Sequence, residues 1–372
     1  MARLGVLSRL AWVLLLTSLS VPRADNHCPA DATRAVARHL ARGSVKLTPA
    51  EPLFFVHLPK TAGSTLQRLL HLGLLDTIDA PDRLLIMDSS CKLSLDGLAR
   101  AGPLMSWARP KPCSGCRACL SCAQHLEQVA CATAFLGHFR PDELFSMLRD
   151  VDDRLTNATG AVCRRAWSDW WPVTDGGAPS AAAAELYAQR HEALLRRSLC
   201  IVVFREPVDR AISHYYEFIA ASGTSKGTSE LSAPEFFARH GARAFANATK
   251  GNLQTSYFGG ARLAKAAVDH CVVGVQERFD DMLAMLARFL PVPSSSAGLP
   301  RAHTNPHHGM TDAALAQMRA ELAPLLKEDT QLYERARCAA MQQVAFARRA
   351  ALERNASAPT SSAPRDHAPP IL

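Results

Sequence analysis

The chain has 372 residues, 48% of them hydrophobic and 20% charged, enough for one large α/β domain or two small ones and too apolar for wholesale disorder. Its 42 Lys and Arg against 34 Asp and Glu leave a net charge of +8, which favours an acidic partner: a nucleotide, a polyanionic glycan or a membrane surface. The arginines are not interleaved with aromatics as in single-strand nucleic-acid binders, so nucleic acid is not an expected partner.

Arg3 and Arg9 form a basic start, Leu10 to Val21 is an apolar run, and Pro22-Arg23-Ala24 follows. The run is about twelve residues, against the roughly 20 that cross a bilayer, so residues 1–24 read as a cleaved signal peptide with a short uncleaved anchor as the alternative. Sequons at Asn157, Asn247 and Asn355 agree with an N-glycosylated chain in the secretory pathway. In that oxidising compartment the 11 cysteines predict several disulfides and leave at least one thiol over. Cys200 and Cys271 each open an apolar run and are read as buried core residues rather than bridges.

Residues 25–50 are a polar, Ala/Arg-rich lead-in, and the core is expected to start at Leu53. Leu53 to Leu58 has the length and composition of a buried strand. A polar turn follows with Pro59, Lys60, Thr61, Ala62 and Gly63, and then Leu66, Leu69 and Leu70 recur at helical spacing. Ser64 with Gln67 three residues on has the form of a capping box, placing the helix start near Ser64. Strand, turn and helix in that order aim backbone N–H groups at one point, where the helix dipole favours an anion. Lys60 adds a full charge, and Thr61, Ser64 and Thr65 add hydroxyls, so the stretch is read as a phosphate cradle. It is not the Walker pattern, because the lysine precedes the glycine and the loop is shorter.

Arg83 to Met87 is a candidate second strand. Residues 91 to about 130 lose the alternating rhythm and read as an insertion carrying Cys113, Cys116, Cys119 and Cys122. The spacing differs from the bacterial iron–sulfur run and from paired zinc motifs, so disulfides are the preferred reading over metal. The rhythm resumes with Ala134 to His138, a helix is expected over 141–149, and residues 151–184 are irregular with Trp167, Trp170 and Trp171. A helix over 185–198, a strand over 200–204, a loop at 222–232, a strand over 272–275 and a helix over 280–290 follow. Residues 291–300 read as a Ser/Pro loop, two helices break near Pro324, and the tail from Asn355 is expected to be disordered.

Continuous apolar strands separated by helices predict an α/β fold, doubly wound, with a mainly parallel sheet covered on both faces. Ligands then sit beyond the carboxyl ends of the strands. The Lys60 turn, His138 and Arg205 each lie just past such an end. After the strand over 200–204, Pro207 suits a first helical turn, and Arg205 and Ser213 supply a guanidinium and a hydroxyl able to hold a phosphate. The competing reading pairs Arg205 with Glu206 or Asp209 at the surface.

The order Pro59-Lys60-Thr61-Ala62-Gly63-Ser64-Thr65 after a strand resembles the 5′-phosphosulfate loop of sulfotransferases that use 3′-phosphoadenosine 5′-phosphosulfate (PAPS). The stretch Arg205-Glu206-Pro207, with Arg210, Ser213 and Tyr215, resembles their 3′-phosphate motif. Leu136 to Phe139, Asn252 to Gly260 and Val273 to Phe279 are similar to passages of the Golgi heparan sulfate 2-O- and 6-O-sulfotransferase group. The resemblance implies a P-loop-like fold and a sulfotransferase domain over residues 51–350, with 351–372 as tail. It implies that Lys60, Thr61, Ala62, Gly63, Ser64 and Thr65 hold the 5′-phosphosulfate and that Arg205 and Ser213 hold the 3′-phosphate.

It further implies a Golgi location, a polyanionic or neutral glycan acceptor and 3′-phosphoadenosine 5′-phosphate (PAP) as product, with no metal required. In-line sulfuryl transfer asks for positioning and charge neutralisation, which Lys60 offers. A sugar hydroxyl must also lose a proton, which a neutral histidine can take, and His138 is the expected base. His57 is read as structural, and His303, His307 and His308 as part of a loop near the nucleotide. The alternatives are a secretory-pathway kinase, for which neither a Walker lysine nor a magnesium-binding acid after a strand is found, and a non-catalytic nucleotide- or glycan-binding protein.

Overall fold

The structure, a computed structural model, describes residues 28–43, 45–48, 51–75, 84–87, 133–138, 181–220, 230–295 and 310–357. The expectations for residues 1–24, the cysteine insert with Cys113 to Cys122, the 141–149 helix, the tryptophans, the loop at 222–229 and His303, His307 and His308 lie outside the described residues.

Strands β1 (Leu53–Val56), β2 (Leu84–Met87), β3 (Ala134–Gly137), β4 (Leu199–Phe204) and β5 (Val272–Val275) form one parallel sheet in the order β2-β3-β1-β4-β5. The chain is thus α/β, with helices around a parallel sheet. Every residue of β1, β3, β4 and β5 is buried, as continuous apolar runs require of strands covered on both faces. On one face Leu53, Phe55, Ile201 and Val203 pack with Leu66, Leu69 and Leu70 of helix α2 (Gly63–Leu75). On the other, Phe54, Val56, Val202 and Phe204 pack with Leu194 and Leu195 of α3 (Ala181–Arg197).

From β4 the chain runs through α4 (Pro207–Phe218), α5 (Ala233–Ala248), α6 (Leu253–Tyr257) and α7 (Ala261–His270) to β5. Ala264 and Ala267 of α7 join the face opposite α2. The first crossover goes from β1 towards β2, and this one goes from β4 in the other direction. Right-handed crossovers in opposite directions must use opposite faces. The sheet therefore changes winding direction beside β1, and the crevice beyond the strand ends there is where open α/β sheets bind ligands.

The last helices are α8 (Phe279–Leu286), α9 (Asp312–Leu322) and α10 (Lys327–Ser357). Helices α4, α5 and α9 form a separate apolar cluster around Ile212, Tyr215, Phe245 and Leu322. α10 covers the outer side of β5, and its buried Gln343 supplies what a neighbouring strand would. Gln343 Oε1 accepts from Val273 N at 2.8 Å, while its Nε2 donates to Cys271 O at 3.0 Å and to Ala32 O at 2.8 Å. An edge strand that would otherwise leave an amide unpaired is thereby closed.

Three expectations change. The lead-in is partly core: α1 (Arg34–Arg42) buries Ala35, Val36 and Leu40 beside α2 because its apolar residues repeat at helical spacing. A Cys28–Cys338 disulfide ties this segment to α10. Cys200 and Cys271 are buried, as expected, but they are also bridged to each other. Ile201 pairs with Val272 in register, so these two cysteines are the preceding neighbours on adjacent strands, with Cα atoms 4.6 Å apart. Finally, α10 continues through Ser357, past the expected start of the tail.

Candidate functional site

The turn after β1 is built with its backbone in an unusual state. Lys60 (φ 68°) and Ala62 (φ 62°) both lie in the left-handed region, which side-chain-bearing residues seldom adopt. Alternating left-handed residues with others curls the chain so that successive N–H groups face one concave side. The Thr61 hydroxyl donates to Leu58 O at 2.9 Å and closes the turn, so its side chain is turned inward. Ala62 O accepts from Thr65 N and Leu66 N as the first carbonyl of α2. Among the described residues, no backbone carbonyl accepts from the amides of residues 61–64. Strained backbone with unspent donors at a helix start is an arrangement suited to an anion. Ser64 is exposed and Thr65 half-buried within the first turn of α2.

The expected Ser64–Gln67 capping box does not form. Helix α2 already starts at Gly63, and Gln67 Oε1 instead accepts from His57 Nδ1 at 3.1 Å. Gly63 is needed for a steric reason: a Cβ there would run into the His57 ring.

His57 and His138 follow the register. Val56 pairs with Gly137, so the next residues of β1 and β3 stand side by side just beyond the sheet. Their rings stack with centroids 3.6 Å apart at 24°. His138 Nδ1 lies 2.8 Å from His57 O. A carbonyl can only accept, so Nδ1 carries the proton and Nε2 is left with the lone pair in the neutral ring.

On the other side of β1, Arg205 follows β4. Its Nη1 donates to Lys60 O at 3.2 Å, joining stretches 145 residues apart. Burial lowers its pKa, opposed by the nearby carboxylates of Asp209, Glu277 and Glu206. Gln254 clamps the Arg205 backbone, accepting from its N–H at 3.0 Å and donating to its C=O at 2.9 Å. Asp329 in turn accepts from Gln254 N at 3.0 Å and Thr255 N at 2.7 Å, and Asn252 Oδ1 accepts from Asp329 N at 3.0 Å.

Glu206 belongs to this corner as a helix cap. Its carboxylate accepts from Asp209 N at 2.7 Å, and burial raises its pKa. Arg319 pairs with Asp209 at 2.9 Å, and Glu277 accepts from Glu206 N at 2.9 Å and from Tyr333 OH at 3.2 Å.

Along α4, Arg210, Ser213 and Glu217 recur at i, i+3 and i+7, on one face. Arg210 is fully buried and donates to Thr249 O at 3.2 Å and Gly251 O at 2.9 Å. Burial pushes its pKa down to about 10 despite Asp329 at 4.0 Å, the outer limit of an ion pair. This arginine of the motif therefore fastens the 249–251 turn. Ser213 is buried beside it. Glu217 reaches Lys60 Nζ at 3.1 Å, with both side chains largely covered. His214, buried under this face, is held neutral down to about pH 3 by burial and by Arg210, Lys250 and Lys60.

The structure thus brings the Lys60 turn, His138 and Arg205 to one rim, with Ser213 buried on α4, the helix that follows Arg205. The sequence reading missed Glu217, Gln254 and Asp329. The i+4 spacing of Glu217 from Ser213 is a usable signal, and Gln254 lies within the Asn252–Gly260 stretch. Asp329 gave none, because its role depends on where α10 lands. Among the described residues no group of three His, Cys, Asp or Glu side chains is placed to hold a metal ion. No helix of the described residues is long and apolar enough to cross a membrane. Compared with models of protein families, with curated proteins and with solved structures, the chain matches none.

Proposed function

We propose that this chain transfers a sulfuryl group from PAPS to a hydroxyl of a carbohydrate acceptor of the glycosaminoglycan kind. The observation that carries the reading is the contact between Arg205 Nη1 and Lys60 O. A guanidinium beside the amide-lined turn supports two anion contacts to one ligand. The strand order with the turn after the central β1 supports the P-loop-like version of the fold. The two disulfides support a secretory-pathway, Golgi-lumenal location.

In this reading the amides of residues 61–64, the hydroxyls of Ser64 and Thr65 and the Lys60 amine hold the 5′-phosphosulfate. Arg205 and Ser213 hold the 3′-phosphate, the feature that separates PAPS from ATP. His138 takes the acceptor proton on Nε2 as the sugar oxygen bonds to sulfur. The bond from sulfur to the bridging phosphate oxygen breaks, its electron pair leaves on PAP, and the Lys60 ammonium neutralises the charge that develops. Before the donor arrives, Glu217 occupies that ammonium, and the phosphate must displace it.

That same ion pair favours the second reading, a nucleotide- or glycan-binding protein without catalysis, since it already neutralises Lys60. Incubation with sulfur-labelled PAPS and a panel of desulfated glycosaminoglycans separates the two. Label in polysaccharide supports transfer. PAP binding without label transfer supports the second reading, and binding of neither overturns both.

A further inference from the structure

His57 lies between the cradle and the expected base, held by a backbone hydrogen bond and by contacts of its ring. Its backbone N–H donates to Gly137 O at 2.8 Å, which anchors it to the end of β3. Its Nδ1 donates to Gln67 Oε1 on α2. Its ring fills the space that a side chain on Gly63 would take, so it presses on the first residue of α2. The ring stacks on His138 at 3.6 Å and, less closely, on Phe55 at 5.7 Å. Buried at 3% exposure, it is a spacer between the helix start that forms the anion turn and the imidazole on the neighbouring strand.

We propose that His57 is the positioning residue for His138. Its carbonyl selects the Nδ1–H tautomer, and its ring sets the plane of the His138 imidazole relative to the anion turn. The carbonyl belongs to the backbone and survives any substitution at 57, whereas the ring does not. Side-chain variants therefore isolate the stacking role. The role rests on the reaction proposed above only for its effect on turnover. The geometric part stands without it.

The first arm is kinetic. His57→Ala should lower kcat at saturating donor and acceptor by roughly 10- to 100-fold, the loss expected when a reacting group is misplaced by about 1 Å. His57→Phe keeps a flat ring and should recover most of that loss, while Gln67→Leu, which removes one restraint, should lose less than His57→Ala. In a His138→Ala background, His57→Ala should produce little further loss, because a residue that acts through another is silent once that other is gone. Multiplying losses, or a His57→Phe variant as slow as His57→Ala, would overturn the proposal and make His57 a proton carrier or an independent structural element.

The second arm reads nitrogen chemical shifts of the His138 ring by NMR. The wild-type protein should show a single Nδ1–H tautomer, and His57→Ala a ring exchanging between orientations. An unchanged His138 spectrum in folded His57→Ala overturns the positioning role even if kcat falls. If the wild-type protein transfers no sulfuryl group, the reaction proposed above fails, and the NMR arm alone decides the role of His57. If His57→Ala does not fold, Gln67→Leu carries both arms: an unchanged kcat with an unchanged His138 spectrum rejects the proposal.

Discussion

The turn after β1 and the corner after β4 meet through a single hydrogen bond, yet they are held by different means. The turn is local: residues 58–66 close it on themselves, with Lys60 and Ala62 in left-handed backbone and one inward hydroxyl. The Arg205 corner is assembled from afar. Gln254, Glu277 and Asp329 come from three other segments: Gln254 fixes the Arg205 backbone, Glu277 the Glu206 amide, and Asp329 holds the Gln254 and Thr255 amides behind them. A turn built from strain can be altered at Lys60 or Ala62 with little consequence for the rest of the fold. A buried polar network ties the site to global stability, because removing one member leaves another desolvated and unpaired.

The largest effect is expected at the base, which leans on His57 at the edge of the turn. His138→Ala should lower turnover by roughly 10²–10⁴-fold, the range for a positioned base. PAP affinity, measured by calorimetry, should hardly change. Near-normal turnover in this variant would move the proton acceptor elsewhere. His214 is a poor substitute, being a buried residue of α4, and Glu206 is already capping that helix.

Next comes the network. Asp329→Ala leaves the Gln254 and Thr255 amides and the Arg210 guanidinium without their carboxylate, and should cost about 3–5 kcal/mol in urea unfolding, as for a broken buried pair. Lys60→Ala should cost far less stability while impairing both PAP affinity and turnover. If Lys60→Ala proves the more destabilising, the contrast between local turn and long-range corner is wrong.

Arg205→Ala sharpens the comparison from the ligand's side. It should weaken PAP binding by roughly 10- to 100-fold, the value of a charge-assisted hydrogen bond, and leave adenosine 5′-phosphate binding much less affected. Equal losses for both nucleotides would remove the 3′-phosphate assignment from the corner.

Acid tests the frame that both regions share. Burial holds His39, His191 and His214 neutral down to about pH 3, with Arg38 adding to the effect at His39 and Arg210 at His214. In the unfolded chain these imidazoles take up protons near the ordinary value of about 6.5. The stability they support is complete above that pH and should fall as pH drops from about 6.5 towards 3, by up to about 1.4 kcal/mol per pH unit for each ring. Glu206 and Asp329, raised by burial, oppose the trend only near and above the carboxylate range. Urea midpoints at several pH values in wild type and His191→Leu check this. The variant should show the shallower slope.

The smallest effect probes the turn's strain. Ala62→Gly removes a left-handed penalty of roughly 1–2 kcal/mol and gives back part of it as chain entropy, so a gain of up to about 1 kcal/mol is expected in urea unfolding. A loss of stability would show that the turn is not strained at that position.

Local stretches of sequence were enough to read the strands, the turn, the helix after it and the shared rim. Unbroken apolar runs such as Leu53–Val56 and Leu199–Phe204 have the length and composition of strands buried on both faces, and parallel strands put their following residues at one edge. Those signals sit within a few neighbouring residues, so Lys60, His138 and Arg205 could be placed together before any coordinates. Tertiary structure decided the partners of long side chains. Gln67 turned to His57 instead of capping its own helix, Arg210 turned inward, Glu217 reached Lys60, and Cys200 met Cys271 across two strands. Each of these depends on strand register or on which helical face meets the sheet. Register and facing are set by the packing of the whole core, which no local stretch of sequence encodes.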